Sequence, residues 1–469
     1  MKRPLYIGSL LACLAPTLSA QNTVNERPNI IFILADDLGW SDLGVMGSES
    51  YQTPNIDHLA SQGLLFTNAY AAASNSAPSR ACIMSGMYPP RHGIYTVSPP
   101  DRGDKTKRKL IPIENKEELD RSFTTVAEAL SACGYQCGIF GKWHLGDINN
   151  ATDPLSRGFV HNIGGGHQGS TNSHFYPYCN ENGSNCLPGL ENGEKGEFLA
   201  DRLTTEAIRF IGENKDKPFF LYLPHYSVHV PIQAPQSYID RYKGTIKGKH
   251  QTNERYAAMM ANLDWNVGRV MHAVDSLGID KQTIIIFYSD NGGSIPQTDN
   301  YPLRDGKGSP HEGGIRVPLI IKWPGKIQEG SKTDVPVTGV DFYPTFVNIA
   351  QGKVAQNLDG KDIFQLLNGH IKRDLFWHFP AYLESYISPS SFRARPYSII
   401  RSGDWKLIYY YEDKSMELFN MKNDWVEHHN VINAYPTIRK ELYKKLMKWI
   451  KETKAPIPTE PNPYFVSEK

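Results

Sequence analysis

Residues 27–37 read RPNIIFILADD. Apolar residues run unbroken from Ile30 to Ala35 and end in two acids, Asp36 and Asp37. A strand with one wet face would alternate, and this one does not. It therefore reads as a strand buried on both faces, as in a parallel sheet covered by helices. Similar apolar runs follow at YQCGIFGKW (135–143), PFFLYLPH (218–225), TIIIFYSDNGG (283–293) and VPLIIKWPG (317–325). Between them lie the helix-like segments PNIDHLASQG, SFTTVAEALSACG, EFLADRLTTEAIRFIGE and ERYAAMMANLDWNVGRVMHAVDSLG. Strands alternating with helices predict an α/β fold, a large and mostly parallel sheet sandwiched by helices. In such sheets ligands gather beyond the carboxyl ends of the strands. The polar groups of this chain collect there: Asp36 and Asp37, Lys142 and His144, His225 and His229, Asp290 and Asn291.

The pattern changes after about residue 370. YSIIRSG, DWKLIYYYED and SMELFNMKND alternate with period two, and TIRKELYKKLMKWIKE reads as a closing helix. These predict a smaller C-terminal antiparallel sheet with a packing helix. The expected organisation is a leader over 1–20, a catalytic α/β domain over 21–370 and a C-terminal α+β subdomain over 371–469.

The chain has 469 residues, 40% of them apolar, with 50 Lys+Arg against 49 Asp+Glu. That balance argues against a nucleic-acid partner, which favours a basic surface. The one basic run, DRGDKTKRK (101–109), is interrupted by Asp101 and Asp104 and reads as a solvated loop. Lys2 and Arg3 precede the apolar stretch LYIGSLLACLAPTLSA, which has the form of a secretory signal peptide cleaved after Ala20. It is too short to span a membrane, and no later run is long and apolar enough. The expected location is the periplasm or outside the cell, with lipoprotein anchoring through Cys13 as the weaker reading. Export permits disulfides, and Cys179 and Cys186 flank the turn-rich NENGSN. Cys133 and Cys137 read as core thiols.

Asp36-Asp37 and Asp290-Asn291 each end a core strand and each is soon followed by glycine. Singly, such pairs merely cap turns. Two together offer oxygen ligands to a hard divalent cation, and the lack of Cys and His in them favours calcium over zinc. Arg80, Lys142, His144, His229 and Lys307 lie in loops or at strand ends, in the segments GKWHLG (141–146), HYSVHVPIQAP (225–235) and LRDGKGSPHEGG (303–314). Together they describe a pocket for a tetrahedral oxyanion beside the metal. Ser76 precedes Pro78, a residue suited to a first helical turn, so a helix is expected from about residue 78. Ser76 then sits at its positive end.

The segment SAPSRACIMSG (76–86) resembles the signature of the formylglycine-dependent sulfatases, the type I family of the alkaline-phosphatase superfamily. The likeness extends through NIIFILADDLG, TPNIDHLASQG, GKWHLG, HVPIQAP, YSDNGG, LRDGKG…EGGIRVP and ELFNMKND, in family order. It implies an alkaline-phosphatase-like fold and oxidation of Ser76 to formylglycine (3-oxoalanine). The hydrated aldehyde attacks sulfur with one hydroxyl, and the other expels sulfate. The resemblance further implies Ca2+ on Asp36, Asp37, Ser76, Asp290 and Asn291, with Asp290 accepting the proton of the attacking hydroxyl. Arg80, Lys142, His144, His229 and Lys307 become the remaining catalytic residues, His144 releasing sulfate and His229 protonating the leaving alcohol. Serine at the modified position implies a bacterial host with an anaerobic sulfatase-maturating enzyme.

The expected substrate is a sulfated carbohydrate of host or algal origin, with a galactose or GalNAc sugar as a guess. His167, His174, Arg393 and Arg395, in two variable loops, and His311, where the family pattern has an aromatic, are the residues expected to meet the sugar. Two other readings compete. One is a phosphomonoesterase or phosphodiesterase of the same superfamily, which would need a second metal where this chain has lysines. The other is an inactive glycan-binding homologue with Ser76 left unmodified.

Overall fold

The computed structural model describes residues 27–246, 248–354, 357–369, 371–388 and 390–467. The expected leader, with Cys13 and the expected cleavage position after Ala20, lies outside the described residues, as does residue 370 at the expected division.

The central sheet has eight strands: β1 Asn29–Ala35, β2 Leu64–Phe66, β3 Gln136–Phe140, β4 His161–Ile163, β5 Phe219–Pro224, β6 Thr283–Ser289, β7 Leu319–Lys322 and β8 Ser331–Thr333. Their order across the sheet is β4-β3-β5-β1-β6-β7-β2-β8. From β4 to β6 every pairing is parallel. β1 lies at the centre, with Ile31 opposite Leu221 on one side and Ile285 on the other.

One expectation fails. VPLIIKWPG was read with the parallel strands, but β7 runs antiparallel to both neighbours. The chain between β6 and β7 stays at the strand ends and carries the Lys307 loop and a short helical turn, Glu312–Ile315. That single turn is too short for a crossover helix over a face, and β7 pairs with β6 as an antiparallel neighbour.

β1 shows why the run has no polar face. Ile31, Ile33 and Ala35 pack into one core and Ile30, Phe32 and Leu34 into the other, all fully buried. The first core is closed by helices α1 Pro54–Ser61, α4 Leu199–Asn214 and α5 Glu254–Ser276. The second is closed by α2 Ser76–Ser85, α3 Val126–Ala132 and α6 Phe342–Ile349. Burying one such large apolar side chain contributes about 1.5–3 kcal/mol, so the strand that ends in Asp36 and Asp37 is held firmly.

A second, antiparallel sheet follows, formed by β9 Asp374–Phe379, β10 Tyr397–Ser402, β11 Trp405–Tyr410 and β12 Met416–Asn420. Helix α7 Pro436–Thr453 packs on it through Leu442, Leu446 and Ile450. Cys179 and Cys186 form a disulfide, and Cys82, Cys133 and Cys137 are free thiols. Among the described residues, no helix is long and apolar enough to cross a membrane.

Candidate active site

The strand ends bring the distant acids together. Asp36 and Asp37 follow β1, and Asp290 and Asn291 follow its neighbour β6. Carboxylate oxygens of Asp36, Asp37 and Asp290 lie within 4.8 Å of one another, all three residues buried. Asn291 Nδ2 donates to Asp37 Oδ1 at 2.9 Å, which turns its amide oxygen toward Ser76. The Asp37 amide donates to Asp290 Oδ1 at 3.2 Å. Asp37 and His144 both have φ of 61°, a left-handed conformation that non-glycine residues adopt at a cost and that clusters at functional sites.

α2 begins at Ser76 itself, two residues earlier than Pro78 indicated, with Asn75 as N-cap. Ser76 Oγ is buried and has only long contacts, 3.4 Å to Asp36 Oδ1 and 3.4 Å to Asn291 Oδ1. One turn on, Arg80 forks onto Asp290 Oδ2 through Nε at 2.9 Å and Nη2 at 2.7 Å, and its Nη1 donates to the Lys142 carbonyl at 3.0 Å. Lys142 Nζ donates to Asp36 at 2.7 Å and Lys307 Nζ to Asp37 at 2.7 Å. His229 Nε2 lies 3.6 Å from Asp37 Oδ2. Its Nδ1 lies 2.9 Å from the Val230 carbonyl, which can only accept, so Nδ1 carries the hydrogen. His144 is partly buried, and its Nδ1 is buried and unpartnered. A Cβ at Gly169 would stand 2.5 Å from its ring, so glycine there is what admits the imidazole.

The electrostatics follow from this crowding. Burial alone would raise Asp37, but the Lys307 charge, then His229 and Lys142, hold it well below the usual carboxylate range. Burial and then the Asp36 charge push Asp290 up to about 6. Burial, then Lys142, holds His144 well below the ordinary histidine value. Burial, then Lys307, lowers His229 to about 4. Both imidazoles are therefore neutral near pH 7 before any anion arrives.

The donors suit a hard divalent cation: three carboxylates and an amide oxygen, with no thiolate. Their charge is already met by Arg80, Lys142 and Lys307, three cations against three carboxylates. A divalent cation alone would leave the cluster two charges positive, and an oxyanion beside it offsets that excess. Cation and oxyanion thus favour each other's binding here.

A cleft of about 390 Å³ opens on this cluster, lined by Asp37, Ser76, His144, His229 and Lys307, with Arg102, Tyr386 and Arg393 at its walls. The residues expected to meet sugar divide. Arg393 lines the cleft. His167, paired with Asp147 at 3.2 Å, lines an adjoining cavity of about 410 Å³ that shares His144. His174 is not brought to the cleft: it is buried, stacked on Phe198, with Nε2 3.2 Å from the His229 carbonyl, so it braces His229 from behind. His311 is clamped between Asp305 at 2.6 Å and Glu417 at 3.0 Å. Arg395 is paired with Asp413 at 2.6 Å and lies over the Tyr410 ring. His311 and Arg395 line a third cavity, of about 640 Å³, next to the cleft.

Sequence reasoning missed Arg102, and it did not single out Glu384 and Tyr386 within the loop 378–397 that it offered for the sugar. Arg102 belongs to the run read as a solvated loop, yet it pairs with Glu384 on the cleft wall, and Arg108 of the same run is buried. The run itself was the available signal. Only packing against the C-terminal part, seen where Asp101 bridges to Tyr382, gives it a place.

Residues 28–352 match the family model described as Sulfatase, and residues 306–454 match the model of the N-sulphoglucosamine sulphohydrolase C-terminal region. The chain belongs to the sulfatase family and is a sulfuric ester hydrolase. A sulfatase of Formosa agariphila is 33% identical over 96% of this chain and 94% of its own. The N-acetylgalactosamine-6-O-sulfatase of Bacteroides thetaiotaomicron is 27% identical over 94% of this chain and 96% of its own. The crystal structure of Ps i-CgsB in complex with k-i-k-neocarrahexaose superposes with a TM-score of 0.75 at 30% identity, covering 90% of this chain and 92% of that one.

Proposed function

We propose that this protein is an exported carbohydrate sulfatase that works through formylglycine made from Ser76 and a single calcium ion. The observation that carries the reading is Ser76 itself. Its hydroxyl is buried among carboxylates and cations, with no histidine bonded to it and only 3.4 Å contacts to Asp36 and Asn291. A serine nucleophile needs an adjacent base, whereas a residue awaiting oxidation does not. Maturation by an anaerobic sulfatase-maturating enzyme supplies a hydrated aldehyde, with one hydroxyl to attack sulfur and one to expel sulfate. Calcium on Asp36, Asp37, Asp290 and Asn291 supplies positive charge against the sulfuryl oxygens.

The chain's own groups do the rest. Lys142 and Lys307, already on the two acids of β1, add charge-assisted donors for the sulfate. Arg80 fixes Asp290, whose raised pKa suits it to accept the proton of the attacking hydroxyl. The neutral His144 has a free lone pair for the proton whose loss releases sulfate. His229 presents Nε2 toward Asp37 and the leaving alcohol. A bound sulfate brings negative charge that raises its pKa, so it becomes protonated when an acid is needed. Arg102 and Arg393 on the cleft wall and His167 beside it are the residues we assign to the sugar.

A carbohydrate substrate is supported by a cleft walled by Arg102 and Arg393, by a relative named N-acetylgalactosamine-6-O-sulfatase and by a similar structure solved in complex with k-i-k-neocarrahexaose. Export is supported by the leader sequence and the Cys179–Cys186 disulfide. The test is mass spectrometry of natively produced protein together with sulfate release from defined sulfated saccharides. A loss of about 2 Da, two hydrogens, at the Ser76 peptide is expected. Unmodified Ser76 with no release from any saccharide would sink the proposal.

A further inference from the structure

The third cavity, about 640 Å³, shares Lys307, Ser385, Tyr386 and Arg393 with the cleft that holds Ser76. Its wall carries Arg304, Lys307, Arg393 and Arg395 against Asp305 and Glu417, with His311 between these two acids. Most of these charges have partners. Lys307 is on Asp37, Arg395 on Asp413, and Arg304 reaches Glu417 at 3.3 Å.

Arg393 differs. It makes no hydrogen bond or ion pair among the described residues, and its Nε is buried without a partner. Its guanidinium carbon lies over the Tyr386 ring, 3.9 Å from the centroid. A Cβ on Gly308 (φ +90°) would stand 2.7 Å from that Nε, so the side chain rests on the same loop that carries Lys307. Arg102 holds one oxygen, Oε1, of the nearby Glu384 carboxylate, and Oε2 is buried without a hydrogen-bond partner. Burial and then the Arg102 charge hold Arg393 below the ordinary arginine value, whereas the paired Arg395 is raised. A half-buried guanidinium with free donors and a ring beneath it is a recognition element for a planar or tetrahedral anion.

We infer that the cavity behind Arg393 is a subsite for a second anionic group, a sulfate or a carboxylate on the sugar next to the one being desulfated. This rests on the carbohydrate reading above and adds to it a preference for multiply charged chains. Tyr386 backs the guanidinium, and Arg102 competes for the Glu384 carboxylate beside it.

The test uses three disaccharides with the same terminal 6-sulfated galactose, joined to a neutral, a sulfated or a uronic acid sugar. Binding is measured by calorimetry on Ser76→Ala protein, so maturation plays no part. We expect at least one charged neighbour to tighten binding about tenfold over the neutral one, with the gain weakening as salt is raised. Comparison of the sulfate and carboxylate arms identifies the anion. Adding Arg393→Gln should bring the ratio to about twofold or less, and Arg393→Lys should restore part of it. Equal binding of all three ligands, or a preference that survives Arg393→Gln in a protein with unchanged unfolding, overturns the inference. Sulfate release by matured enzyme separates the two claims. A charge preference without release of sulfate from any ligand keeps the subsite and defeats the reading of these 6-sulfated galactosides as substrates. Release without preference does the reverse.

Discussion

Two clusters of buried charge lie at the ends of the same loop, and they are built oppositely. One is the candidate active site, with Asp36, Asp37 and Asp290 against Arg80, Lys142 and Lys307. The other sits where the loop meets the C-terminal sheet. There Lys406 Nζ lies 3.0 Å from Glu312 and 2.7 Å from Glu427, all three fully buried. Tyr70 donates to Glu312 at 2.8 Å, the Glu312 amide donates to Glu427 at 2.6 Å, and Arg401 reaches Tyr70. The second cluster lines none of the three cavities around the site. The first leaves Ser76 with long contacts and His144 Nδ1 with none, and it opens to a cleft. Buried ions cost desolvation in both places. In the closed cluster the protein's own groups offset that cost; in the open one the remainder is left for a ligand. The closed cluster also serves the open one, because Glu312 anchors the loop that positions Lys307.

The difference is broken most severely at Ser76. Ser76→Ala should reduce sulfate release on the order of 10⁴-fold or more, the scale seen when a covalent nucleophile is lost. Urea unfolding should move by about 1 kcal/mol or less, since only a weakly bonded hydroxyl is removed. Retained turnover in otherwise matured protein would end the mechanism. Lys406→Met should behave inversely. It strands Glu427 without its cation, leaves Glu312 with Arg316 at 3.4 Å, and should cost about 3–5 kcal/mol of stability in urea titrations. Lys406→Met with Glu427→Gln should recover part of that loss. A destabilisation below about 1 kcal/mol would show that Lys406 does not hold the junction together.

His229 tests the open cluster at a finer grain. His229→Ala should lower kcat on sugar sulfates by about 10²–10³-fold. On nitrophenyl sulfate, whose leaving group needs no proton, the loss should be about tenfold or less. Equal losses on both would make His229 a binding residue and remove it as the acid.

How far the sequence could be read follows the same division. β1, its acids and the α2 signature are legible because each is a local pattern: an unbroken apolar run, a doubled acid, a serine ahead of a proline. The direction of β7 is not, since an apolar run reads the same both ways and only the path of the Lys307 loop decides it. Arg393 and Arg395 stand two residues apart in one loop and look equivalent. Asp413, 18 positions from Arg395, pairs only with the second. His174 had the right residue type for sugar, but the loop folds it behind His229. Arg102 was discounted with its basic run because its partner, Glu384, is 282 positions away. Partners set by tertiary contact decide these roles, and one sequence does not reveal them.

The smallest effect concerns the histidine that joins the two regions. His311 immediately precedes Glu312 and bridges Asp305 of the Lys307 loop to Glu417 on β12, with the Phe419 ring at its edge. Burial disfavours its charge, but the hydrogen bonds to Asp305 and Glu417 outweigh it and raise the pKa above 6.5. Glu417, lowered to about 2 despite burial by its bond to His311, stays ionised throughout the neutral range, and Asp305 is lowered as well. The folded protein therefore holds this proton more tightly than the unfolded chain. The clamp contributes fully below 6.5, the unfolded value, and its contribution fades as pH rises through the higher folded value. Wild type should exceed His311→Gln by about 1.5 kcal/mol in urea unfolding near pH 6, and the gap should shrink toward zero by about pH 9. A gap that stays constant across that range would mean the imidazole acts by shape alone. A gap that widens with pH would mean that the neutral ring is the form the fold prefers.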